Sequence, residues 1–202
     1  MNLLTQNTKL KRTSKQLGVR VFNFGIPAYK SASGKLTCPM ADKCVAFCYA
    51  KKGAYIWSNV QPAFEKRYQL SKTDDFIHSM IDEIAKKKPD YVRVHDSGDY
   101  YSKKYLQKWL DIAAIHPQIK FYSYTNCVEM LKNVDLPDNY DIIYSDSGKQ
   151  VHMIDQTKDR HTRIFHSHTE LIACGYVDAS KIDLYATKWF SQDNNNVGLI
   201  AH

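Results

Sequence analysis

Cys38, Cys44 and Cys48 fall within eleven residues and are followed at once by Tyr49. Thiols bunched this closely point to a soft metal centre or an iron–sulfur cluster. The spacings of five and three residues differ from the paired Cys-x2-Cys knuckles common in zinc sites. A loop wrapping one polynuclear object suits a 4Fe–4S cubane. Zinc and unligated buried thiols are the other readings. Three clustered ligands leave a fourth position to fill. Cys174, in Ile172-Ala173-Cys174-Gly175, is the first candidate and Cys127, just after a strand, the second. Either could instead be a small buried hydrophobe, a common fate of a free cysteine. Four cysteine ligands would make the centre redox or structural, tuned by burial and hydrogen bonds to sulfur. With three, the open iron could bind S-adenosylmethionine or a substrate.

A second polar feature is Asp96-Ser97-Gly98-Asp99. A carboxylate turn with a flexible glycine at a strand end can present N–H groups and charge to a cofactor. An ordinary Asx-type loop is the alternative. Asp99 is the candidate partner for a bound amine. His95 lies in the preceding strand, where a core role is as natural as a ligand role. His161, His166 and His168 could bind metal, with His166 and His168 on one strand face, although scattered hydrogen-bonded histidines are the commoner outcome. Acid–base chemistry by Asp96, Asp99 or Asp146 is a further reading, with nothing in the spacing to fix a working separation. Most of the 14 tyrosines belong to core or half-buried strands, and some could stack on bases.

The elements around these residues alternate. Residues 19–24 are β-prone, and Gly25, Pro27 and Ser31–Gly34 then open the loop that carries the three cysteines. Residues 59–70 and a second stretch after Thr73 or Asp74 read as helices, the latter with Phe76, Ile77, Met80, Ile81 and Ile84 at helical spacing. Tyr91–His95 is a strand. Ser102 caps a helix that runs to Ile115. Residues 119–124 and 141–145 are strands, with a short helix at 128–131 between them. Residues 163–166 and 182–186 read as further strands, and the first eighteen residues as a loose polar arm. Strand–helix alternation with short connections predicts a single α/β domain over residues 1–202. Its parallel sheet would be barrel-like, as a (β/α) or partial TIM barrel. Functional residues of such sheets gather at the carboxyl ends of the strands. The cysteine loop, Asp96–Asp99, Thr125–Cys127 and Asp146–Lys149 all follow strands, so they should meet on one rim.

At 202 residues the chain can bury a real core without disulfides, and five cysteines is an odd number for a disulfide framework. The N-terminus has no signal-peptide pattern and no apolar run approaches membrane-spanning length, so a reducing cytoplasm is expected. The net charge of +7 could steer the protein to nucleic acid, although a solvated basic surface explains it equally simply. A zinc-stabilised, basic nucleic-acid-binding protein is therefore the alternative to an iron–sulfur protein acting on a small molecule or redox partner.

Several segments together resemble the phage gene product 88 family. They are Leu3-Leu4-Thr5, Asn7-Thr8-Lys9-Leu10, the loop from Thr37-Cys38-Pro39 to Cys48-Tyr49-Ala50, Val92 through Tyr101, Phe121 through Thr125, and the closing Gly198 to His202. The resemblance implies a viral or prophage origin and a host-cytoplasmic setting more than a reaction. One departure stands out. Members carry extra cysteines just before a tryptophan near the C-terminus, whereas here Leu184 to Trp189 contains none. A second, looser resemblance is to radical S-adenosylmethionine enzymes. They share the order strand, cysteine loop, helix, strand, polar turn, and place an aromatic where Phe47 stands. Their usual loop is Cys-x3-Cys-x2-Cys, so the spacing here differs.

Overall fold

All seven strands run in one direction, in the order β1-β2-β3-β4-β5-β7-β6. They are β1 (Val21–Phe24), β2 (Tyr91–Val94), β3 (Lys120–Thr125), β4 (Tyr140–Ser145), β5 (His161–Phe165), β6 (Val177–Asp178) and β7 (Asn196–Ile200). This computed structural model describes residues 1–201. The helices are α1 (Thr8–Leu17), α2 (Cys44–Phe47), α3 (Gln61–Lys72), α4 (Phe76–Lys87), α5 (Lys103–Ile115), α6 (Val128–Lys132) and α7 (His168–Ala173). The first five strands lie side by side in chain order, without the reversal of doubly wound sheets, and the order steps back only at the far edge, where β7 inserts between β5 and β6. The sheet curls into a half-barrel whose two edges are β1 and β6.

Each face of the sheet has its own core. On one side Phe24, Val92, Val94, Phe121 and Ile142 pack against Phe76, Met80, Trp109 and Ile112 of α4 and α5. Trp109 meets Phe24 edge-on at 5.1 Å between ring centroids, and Phe76 at 5.5 Å. The apolar spacing of α5 dictates this packing, and Ser102 starts the helix as expected, its hydroxyl accepting from Tyr105 N at 3.2 Å. On the other side Val21, Tyr122, Ile143 and Val197 pack against Leu10, Leu184 and Ala186.

Three expectations fail here. The first eighteen residues are no loose arm. Asn7 caps α1 by accepting from Leu10 N at 3.0 Å, Leu3, Leu4 and Leu10 are buried, and Thr5 bridges to Asn23 of β1. The basic exterior of α1 conceals a narrow apolar stripe. Residues 182–186 are not a strand but include a 3-10 helix at Asp183–Ala186. A short buried apolar run does not by itself distinguish the two. His166 and His168 do not share a strand face, because β5 stops at Phe165 and His168 opens α7. Strand β7 escapes sequence reading because its centre is Gly198 and a run of asparagines, Asn194 to Asn196, leads into it.

Candidate metal centre

The carboxyl ends of β1 to β4 come together through backbone hydrogen bonds between their loops. Ile26 N donates to Ser97 O at 3.0 Å, and Asp99 N to Thr37 O at 2.9 Å. Ala41 bridges to Gly148, and Lys149 N donates to Met40 O at 2.9 Å. The cysteine loop therefore lies across the rim, laced on one side to the turn after β2 and on the other to the turn after β4. The four strand-end segments singled out from sequence share this one rim.

Within the loop, Cys38 Sγ accepts from Tyr29 N at 3.3 Å, and Asn126 Nδ2 lies 3.9 Å from Cys44 Sγ. Cys48 follows α2 and faces the N–H groups of Ala50 and Lys51. All three cysteines are half-buried. Burial pushes the Cys38 thiol up to about 12, and Asp99 and the other two cysteines add to that rise. Burial also raises Cys48, the Ala50 N–H opposes it, and Cys44 adds to it. Such thiols are protonated at neutral pH and become thiolates only when a cation compensates them. Among the described residues, no three His, Cys, Asp or Glu side chains gather closely enough to hold a metal ion.

The two candidates for a fourth ligand separate clearly. Cys174 ends α7, the helix that follows β5, and is exposed. Cys127 is fully buried behind β3, where its thiol lies 3.3 Å from Tyr100 O and near Asp99 and Cys38. A cavity of about 490 Å³, lined by Met40, Leu106, Met130 and Gln150, opens beside Cys127.

The turn after β2 divides into used and unused groups. Asp99 is fully engaged. Its Oδ1 accepts from Thr125 Oγ1 at 2.6 Å and Tyr100 N at 2.8 Å, and its Oδ2 from Asn126 N at 2.9 Å. It braces the rim, leaving little capacity for the amine expected of it. Gly98 has φ +85°, and a Cβ there would lie 2.2 Å from Ile26, so the turn admits only glycine. Asp96, by contrast, receives Tyr55 Oη at 3.0 Å on Oδ2, while its Oδ1 has no partner and packs against Gly25. Ser97 Oγ and Asn126 Oδ1 are likewise buried without partners. Burial raises the Asp96 carboxyl above its ordinary range, although Arg93 and Tyr55 oppose the rise. His95 sits just past β2 with φ +71°, an uncommon backbone for a non-glycine residue. Its Nε2 meets Tyr105 Oη at 2.8 Å, its Nδ1 has no partner, and burial followed by Arg93 lowers it to about 3, so it is neutral.

Sequence reading missed the charged cluster inside the half-barrel. Asp183 is fully buried and receives Lys9 Nζ at 2.6 Å, Arg93 at 3.2 Å and Tyr122 Oη at 2.6 Å. Burial alone would raise its carboxyl, but Arg93 and Lys9 hold it well below the usual range. Tyr49 joins this cluster to the loop. Its hydroxyl donates to Asp96 O and accepts from Arg93 at 3.3 Å. No local signal marks Asp183, since its partners lie up to 174 positions away in the chain.

Among the described residues the histidines do not form a site. His161 is held between Asp159 O and Tyr176 Oη, each at 3.0 Å, and His168 pairs with Asp178 at 3.7 Å. Among the described residues no helix is long and apolar enough to cross a membrane.

The Gene product 88 family model matches residues 1–201. The Gene 88 protein of Mycobacterium phage L5 is 25% identical over 162 residues, 67% of this chain and 66% of its own length. That of Mycobacterium phage D29 is 24% identical over 156 residues, 65% of this chain and 63% of its own. The chain thus spans slightly less than two thirds of these relatives, and both are bacteriophage proteins. No solved structure matches. The chain belongs to the Gene product 88 family.

Proposed function

We propose that the cysteine loop holds a 4Fe–4S cluster through Cys38, Cys44 and Cys48, and that the protein is a phage redox or radical-S-adenosylmethionine-like protein built on a partial TIM barrel. One observation carries the reading. Three thiols, each beside an N–H group, ride on a single loop tied across the carboxyl rim of a one-directional parallel sheet. Hydrogen bonds to sulfur are what a thiolate-liganded cluster needs from its surroundings. The five- and three-residue spacing of the cysteines differs from the paired Cys-x2-Cys knuckles common in zinc sites, which favours a polynuclear centre over a single zinc ion.

Three cysteines leave one iron for another ligand. Cys127, buried near Cys38, is better placed for it than exposed Cys174. If Cys127 does not turn towards the loop, that iron stays open to a small molecule, S-adenosylmethionine among the candidates. The unpartnered atoms Asp96 Oδ1, Ser97 Oγ and Asn126 Oδ1 are the groups that would hold such a molecule. When bound, the cluster supplies one-electron chemistry. The chain's own residues position the loop, exclude water through Tyr49 and Tyr55, and fix the charge beneath it through Arg93.

Anaerobic purification with iron, sulfide and zinc quantified beside the visible spectrum tests this. The expected result is brown protein with about four irons and four sulfides per chain. Colourless protein with one zinc per chain overturns it.

A further inference from the structure

The outer surface of the cysteine loop has a second character. Phe47, Tyr49 and Trp57 are 70%, 54% and 60% exposed, the most exposed aromatic side chains among the large exposed hydrophobics, and they fall within eleven residues. Ile56 beside them is 58% exposed. Trp109, on the helix-covered face, is fully buried. Lys30, Lys35, Lys43, Lys51 and Lys52 surround these rings, all exposed, and Lys149 joins them where its loop bonds to Met40. Lys30 and Lys51 both lie over the Tyr29 ring. Asp96 and Asp99 of the neighbouring turn are buried, and Asp42 is the exposed acid within the cysteine loop. Phe47 ends α2, Tyr49 opens the 3-10 helix Tyr49–Lys51, anchored by its hydroxyl with its ring half exposed, and Trp57 follows the 3-10 helix Gly53–Ile56.

Exposed flat rings alternating with lysines meet two demands at once. Lysines neutralise phosphates, and rings stack on bases that are free of a duplex. An acidic protein surface would satisfy the lysines but would not call for three solvent-facing aromatics. We propose that this face binds single-stranded nucleic acid, with bases stacked on Trp57, Phe47 and Tyr49 and the backbone along Lys43, Lys51, Lys52 and Lys149. A strand seated there passes directly beside Cys48. The binding stands apart from the cluster reading, so either can fail alone.

The test is fluorescence anisotropy of a labelled oligothymidylate of about 20 nucleotides, using full-length protein purified anaerobically with its metal content intact. The expected dissociation constant is roughly 10 µM or tighter at low salt, with a log–log salt slope near −3 for four phosphate contacts. A duplex of equal length should bind more weakly. The triple variant Lys43→Glu, Lys51→Glu, Lys52→Glu should weaken binding at least tenfold. The triple variant Lys86→Glu, Lys87→Glu, Lys88→Glu carries the same charge change at the opposite end of the strands and should change it less than twofold. Trp57→Ala should weaken binding about tenfold, and circular dichroism should show both folds intact. Equal loss in the two triple variants, or duplex binding as tight as single-strand binding, would overturn the proposal. So would absence of oligonucleotide binding, which would leave an acidic protein as the partner of this face.

Discussion

Two buried carboxylates, one in the turn after β2 and one on the 3-10 helix at Asp183–Ala186, behave in opposite ways. Asp183, inside the half-barrel, takes hydrogen bonds from two cations and a tyrosine and is held ionised well below its ordinary range. Asp96, at the rim, has one tyrosine on one oxygen, nothing on the other, and a carboxyl raised by burial. The Asp183 carboxylate is completely paired on both oxygens, and its ion pairs fasten the N-terminal helix and the C-terminal segment onto the sheet. The rim is incomplete, with unpartnered oxygens on Asp96, Ser97 and Asn126 and thiols that need a cation. Unpartnered buried groups cost free energy, so a fold retains them where a ligand completes them. The contrast separates what builds the protein from what works in it.

The largest effect should come from breaking the complete side. Asp183→Asn leaves Arg93 and Lys9 buried without their counter-charge and should cost about 3–5 kcal/mol. At this chain length that is a fall of roughly 10 °C or more in Tm. Urea unfolding measures it, and a loss under about 1 kcal/mol would remove the distinction drawn here. Gly98→Ala comes next. A methyl group at φ +85° and against Ile26 should cost about 2 kcal/mol and reduce metal loading, because it displaces the turn that receives the cysteine loop. Thermal melts read the first effect and iron content the second.

Asp96→Asn should fall within about 1 kcal/mol of the parent, on either side. The pH dependence sharpens the contrast. A carboxyl whose pKa is raised on folding costs stability at neutral pH, and that cost is relieved as pH falls through the raised value. The parent should therefore gain on Asp96→Asn as pH falls from neutral. Asp183, with a lowered pKa, contributes stability at neutral pH that is lost only as pH falls below about 4. Parallel unfolding curves for parent and Asp96→Asn across that range would argue that the carboxylate is satisfied in solution. Smallest of all, Cys174→Ala should leave iron, sulfide and spectrum unchanged, since the side chain is exposed at the end of α7. A loss of iron would restore it as a ligand.

Much of this arrangement was legible in the chain. Cys38, Cys44 and Cys48 advertise themselves by spacing. Ser102 and the apolar repeat of α5 mark their helix, and the strand-end rule gathers Asp96–Asp99, Thr125–Cys127 and Asp146–Lys149 onto the cysteine rim. What could not be read depends on distant pairing. The stripe of α1 matters only because Val21 and Leu184 lie opposite it, and the exposed lysines and arginine of that helix mask it. Asp183 looks like an ordinary acid in an apolar run until Lys9 and Arg93 surround it. Asp99 and Asp96 are three residues apart in one motif, and only the fold shows that the first is a brace and the second is unfinished.

The most direct measurement is the iron and sulfide content of Cys44→Ala beside the parent, both purified anaerobically, with circular dichroism on each. The account predicts about four irons per chain in the parent and almost none in the variant, while the variant keeps its secondary structure because the Asp183 cluster, not the loop, secures the sheet. A variant that carries the parent's full iron and sulfide would contradict it.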